Sequence, residues 1–107
     1  MKNSKILEVK GGRIPLLDAA IQLIKDQTGV DPSELGSKRE QVYARAVYCM
    51  AATMGTPYSK SRIGQHINKD HSSVIHYCKN TFTEIELYEP GFMDCYRRVL
   101  YYLKTNV

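Results

Sequence analysis

The stretch Ser59–Lys79, SKSRIGQHINKDHSSVIHYCK, constrains the fold more than any other part of this chain. It fits two short helices around a tight turn. Ser59 caps the first, whose buried side is Ile63 and Ile67. Asn68-Lys69 turns the chain, and Asp70 stands where the N-cap of the second helix belongs. Beyond it Val74, Cys78, Phe82 and Ile85 run along one helical face. A helix that follows a lysine, opens on short hydrogen-bonding side chains and continues apolar suits entry into a DNA major groove. The chemistry this points to is base-edge recognition rather than bond making.

The flanking sequence also reads as helix. Residues 1–12 look like a flexible leader ending in Gly11-Gly12, and residues 13–107 form the domain. Pro15 suits a first helical turn, and Leu17, Ala20, Ile21, Ile24 and Thr28 share a face before Gly29 stops the helix. Asp31–Leu35 reads as a short helical turn. A second helix starts near Ser37 or Lys38, with Ser37 and Glu40 as a capping box. Tyr43, Val47, Met50 and Met54 repeat along it, with Val42, Ala46 and Cys49 beside them, until Gly55-Thr56-Pro57 ends it. After Glu89-Pro90-Gly91, residues Phe92, Tyr96, Val99, Leu100 and Leu103 make a last amphipathic helix. No period-2 run is long enough for a strand, so the expected class is all-α: a compact multi-helix domain around a helix-turn-helix.

Charge is informative through its placement. The chain carries +4 overall, yet residues 1–36 are neutral, with five basic and five acidic side chains. Residues 37–79 hold seven basic against two acidic, and residues 80–107 three against four. The positive excess therefore sits on the helix-turn-helix segment, as phosphate binding requires. The longest uncharged run, Ala46–Ser59, is too short to cross a bilayer, and residues 1–16 lack the apolar core of a secretory signal. Cys49, Cys78 and Cys95 are odd in number and widely spaced, which points away from a disulfide framework or zinc site and toward a reducing compartment. No nucleophile triad, paired carboxylates, phosphate-binding glycine loop or metal-ligand set stands out, so no enzyme, cofactor, metal or small-molecule substrate is expected.

Two roles stay open for most residues of the motif. Asp70 either caps the helix or accepts from cytosine N4, and one carboxylate can do part of both. His71, Ser72 and Ser73 suit base edges or phosphates; otherwise His71 is a solvated polar residue and the serines are capping residues. His76 lies about 140° around the helix from His71, which favours positioning or a phosphate over base reading. Most of the eight tyrosines fall on helix faces, where packing is the better reading than nucleobase stacking.

The motif closely resembles the C-terminal DNA-binding domain (domain IV) of DnaA, the bacterial replication initiator. In that family a helix ending in Ile-Gly precedes a turn and an Arg-Asp-His-Thr/Ser-Thr-Val-x-His pattern. The matching residues are Ile63-Gly64 and Lys69-Asp70-His71-Ser72-Ser73-Val74-Ile75-His76. Ala20-Ile21-Gln22 through Gly29-Val30, Glu34-Leu35, Ser37-Lys38-Arg39 and Ala44-Arg45 follow in the family's order, so the resemblance spans roughly Leu17 to Leu103. The chain departs from the pattern in a turn one residue shorter, Lys for Arg, Ser at both Thr positions, and a shorter stretch between Arg45 and Ile63. Serine lacks the methyl that packs on thymine C5, so weaker thymine discrimination is expected.

The resemblance implies sequence-specific binding of double-stranded DNA, in replication initiation or its regulation, by a cytoplasmic, nucleoid-associated protein of a bacterium or phage. Lys69, Asp70, His71, Ser72 and Ser73 are the candidate base readers. Lys38, Arg39, Arg45, Lys60, Arg62, His76 and Lys79 are candidates for the DNA backbone or minor groove, with Arg45 the best match to the family's minor-groove arginine. A transcriptional regulator using the same helix, or a protein-interaction module that has lost DNA binding, are the alternatives. A protein partner is left open.

Overall fold

The computed structural model describes residues 12–107. The expected leader therefore lies outside the described residues, apart from Gly12. Helix α1 (Pro15–Thr28) starts on Pro15, whose missing N–H costs nothing in a first turn. It ends on Gly29, which takes the left-handed conformation (φ 76°) and donates its N–H to Lys25 O. Leu17, Ala20, Ile21 and Ile24 are its buried face, as the spacing predicted. Asp31–Glu34 forms a hydrogen-bonded turn, in which Asp31 Oδ1 accepts from both the N–H and the hydroxyl of Ser33.

Helix α2 (Arg39–Gly55) is the central element, buried over most of its surface. Its start differs from the expected Ser37–Glu40 box by one residue. Lys38 is the N-cap, and Gln41 Oε1 accepts the Lys38 N–H. The stripe predicted on α2 also shifts, since Met54 is 58% exposed while Tyr48, Ala44, Ala51 and Ala52 are fully buried. Several helices pack around α2, so no single 3.6-residue stripe describes its core face. The Tyr48 hydroxyl, deep in that core, donates to Ile63 O at 2.7 Å and so ties α2 to the motif.

Helices α3 (Lys60–Gln65) and α4 (His71–His76) form the helix-turn-helix. The chain then runs through a π-helical turn (Tyr77–Thr81) into α5 (Phe82–Tyr88) without leaving the helix. Sequence periodicity treats this as one regular α-helix. The structure instead has one π-helical turn there, and Val74, Tyr77, Thr81, Phe82 and Ile85 face the core across it. Pro90 opens α6 (Pro90–Asn106), which packs along α2. Tyr43 meets Phe92 edge-on near their N-termini, and a Cβ on Gly55 would lie 3.1 Å from Leu100 and Leu103 near their C-termini. Among the described residues there is no strand, and no helix is long and apolar enough to cross a membrane. The all-α class follows directly.

Candidate nucleic-acid interface

The two helices of the motif are held in place by local chemistry. Ser59 Oγ caps α3 by accepting the Arg62 N–H. At the other end Lys69 N–H donates to Gly64 O and Asn68 N–H to Gln65 O. With Asn68 left-handed at φ 60°, these two bonds make a Schellman stop. Gly64 is required by what lies against it. A Cβ there would stand 2.5 Å from Lys69 O, 3.1 Å from Asp70 O and 3.0 Å from Val74 Cγ2. The Ile-Gly of the motif therefore marks the place where the turn and α4 press onto α3.

Asp70 caps α4, its Oδ1 accepting the Ser73 N–H at 2.9 Å. That bond, with the Ser73 hydroxyl, holds its carboxyl below the ordinary aspartate range, so it is ionised at neutral pH. His71 and Ser72, next along the chain, are exposed, and Ser73 is half-buried. Val74 is fully buried and fixes the helix from beneath. Asp70 borders two open depressions. One, about 460 Å³, lies between α4 and α2 and is lined by Val42, Ser72, Ser73, His76 and Tyr77. The other, about 120 Å³, lies against α3 and is lined by Ser61, Gln65, Lys69 and His71. The start of α4 thus lines both depressions with polar side chains.

The candidate cations divide into three groups. Lys38, Arg39, Lys60 and Lys79 are exposed, and Lys69 is half-buried at the turn. Arg62 is half-buried, and its guanidinium donates to Gly12 O at 2.9 Å. Arg45 corrects the expectation of a minor-groove arginine. It is 3% exposed, with its guanidinium donating to Glu34 O and Gly36 O at 2.7 and 2.6 Å. A side chain buried and bonded in this way holds the loop before α2 and does not reach a ligand's surface. Its Ala-Arg context carries no signal of that burial, because the partners are backbone carbonyls of the loop before α2.

In the sequence His66 stands out only as one of three histidines at five-residue steps that share no helix face, and its structural role is not legible there. His66 is 1% exposed, with Nε2 accepting the Ile14 N–H at 2.9 Å and Nδ1 3.1 Å from Arg62 O. Burial lowers its pKa, and the neutral Nδ1–H tautomer satisfies both bonds. His66, His71 and His76 do not converge. Among the described residues no group of three or more His, Cys, Asp or Glu is placed to hold a metal. All three cysteines are free, and burial raises each thiol, Cys95 to about 11.

The family model described as the bacterial DnaA protein helix-turn-helix matches residues 17–80. The chain belongs to this family. Two relatives bear the name chromosomal replication initiator protein DnaA. The protein of Bacteroides fragilis (strain YCH46) is 45% identical over 56 residues, 51% of this chain and 12% of that protein. The protein of Bacteroides thetaiotaomicron is 43% identical over 51 residues, 47% of this chain and 11% of that protein. This chain therefore spans only about an eighth of the length of the relatives it matches. No solved structure matches it. The matched residues run from α1 into the π-turn, so the family match covers α1 to α4 and leaves α5 and α6 outside it.

Proposed function

We propose that residues 13–107 bind double-stranded DNA in a sequence-specific manner, with α4 in the major groove, in replication initiation or its regulation within the bacterial nucleoid. The observation that carries this reading is the start of α4. His71 and Ser72 are exposed on a helix whose position is fixed independently by the Asp70 cap, the Gly64 contact and buried Val74. Lys69, Asp70, His71, Ser72 and Ser73 are the base readers. For Asp70, Oδ1 serves the cap while the remaining lone pairs of the carboxylate accept from a base. Lys38, Arg39, Lys60 and Lys79 contact phosphates or the minor groove. With Arg45 buried, Arg39 at the start of α2 takes the minor-groove role, and Arg62 contributes only with what Gly12 leaves free.

The test is selection of a site from random duplexes, followed by competition between that site and a scrambled one. Asp70→Asn keeps a competent cap but adds a donor, and His71→Ala removes an exposed side chain. Each variant loses about 1–3 kcal/mol of discrimination while melting like the parent. Unchanged discrimination in both removes these residues from the reading surface. Mapping the bound sites to an origin or to promoters then decides between replication and transcription.

A further inference from the structure

We propose that Asn80 is a positioning residue for His76, holding its imidazole in the Nε2–H tautomer so that the neutral ring donates to a phosphate oxygen. The inference rests on the DNA-binding reading above. Asn80 Nδ2 lies 2.9 Å from His76 Nδ1. A carboxamide NH₂ only donates, so Nδ1 accepts, and the neutral ring carries its proton on Nε2. Both side chains are exposed, so the core makes no demand for the pair.

The ring is held from a second side as well. It stands edge-on to Tyr77, with centroids 6.2 Å apart at 63°, and Tyr77 is itself buried. His76 also borders the α2–α4 depression together with Asp70, Ser72 and Ser73, which places it beside the reading turn. Asn80 lies in the π-turn, where Tyr77 and Thr81 both turn inward while Lys79 and Asn80 stay outside. The lysines of this surface supply charge with little direction, whereas a ring of fixed tautomer supplies one aimed donor. The opposite tautomer would turn a lone pair toward the phosphate and lose the contact.

The imidazole ¹⁵N shifts of His76 in the DNA-free protein at pH 8 read the tautomer directly. The Nε2–H form dominates in the wild type, both tautomers mix in Asn80→Ala, and the acceptor-only carboxylate of Asn80→Asp draws the proton to Nδ1. A wild-type ring protonated on Nδ1, or a ring indifferent to both substitutions, overturns the proposal. On duplex DNA, Asn80→Ala weakens binding about 3- to 10-fold, the size of one hydrogen bond, equally for selected and scrambled sites. It costs nothing further in a His76→Ala background, whereas additive losses would show that Asn80 acts elsewhere. An unchanged melting temperature for Asn80→Ala separates lost positioning from lost folding. If the wild type binds no duplex, the DNA-binding reading falls and the phosphate contact with it, while the ¹⁵N shifts still decide whether Asn80 sets the tautomer.

Discussion

Gly64→Ala tests the frame that carries the reading helix. The added methyl would sit 2.5 Å from Lys69 O and 3.1 Å from Asp70 O, both backbone atoms, and 3.0 Å from Val74 Cγ2. Ordinary carbon contacts lie near 3.5 Å, so the turn or α3 must retreat by about 1 Å. Overpacking of this kind costs about 1–3 kcal/mol. Alanine's better helix propensity returns about 1 kcal/mol. The net loss is at most about 2 kcal/mol, or at most about 16 °C in Tm for a chain of this size. Affinity suffers more than stability, because the displaced atoms belong to the residues that open α4. Losing one or two base contacts at about 1–3 kcal/mol each lowers affinity for the selected duplex 10-fold or more at a temperature where the variant is folded. Gly91→Ala is the control, since nothing lies within 4 Å of that Cβ position. Thermal melting and fluorescence anisotropy on a labelled duplex give both quantities. If Gly64→Ala melts and binds like the parent, the close approach of turn and helix is not what requires glycine there.

Three further outcomes follow from the same geometry. His66 has a folded-state pKa below its ordinary value of about 6.5, so its contribution is complete above that pH and falls away as the pH drops below it. The slope is at most about 1.4 kcal/mol per pH unit, and it disappears in His66→Gln when denaturant midpoints are followed from pH 7 to 5. A wild type and variant with parallel profiles would mean that the buried ring is not the acid-sensitive group. Tyr48→Phe removes the hydroxyl that donates to Ile63 O and costs about 1–2 kcal/mol by thermal melting, with no loss expected if another donor reaches that carbonyl. Duplex affinity falls with a log–log salt slope of about −4 to −5 if four to six phosphates are met, and an affinity independent of salt would remove the electrostatic footprint.

Much of the scaffold is legible in the sequence because helix ends are decided locally. Pro15, Gly29, Ser59, Asp70 and Pro90 each act within one turn of themselves, and each marks a boundary in the structure. What escapes sequence reading is decided at a distance. The π-turn at Tyr77–Thr81 is one such feature, since no local residue announces it. Arg45 is read as a surface cation because its partners, two carbonyls of the loop before α2, have no side-chain signature. Met54, expected on the apolar stripe, is exposed, and Tyr48 is fully buried, since α2 is covered from several directions. At the start of α2, expected near Ser37 or Lys38, only the capping pair differs, and locally: Gln41, rather than Glu40, reaches back to accept the Lys38 N–H. The start of α4 is the most legible part of the candidate site, its capping residue and its exposed residues being consecutive in the chain.

The Gly64 contact also divides the motif by how freely it can change. Positions 71 and 72 hold side chains that touch solvent and leave the cap to their neighbour, so many residue types fold there equally well. Positions 64, 68 and 70 admit few substitutes, because one has no room for a methyl, one is left-handed and one must accept a backbone N–H. Such a motif can be reprogrammed at its lettering while its hinge stays constant. A library randomised at the two exposed positions therefore leaves the fold intact while it varies the exposed face of α4.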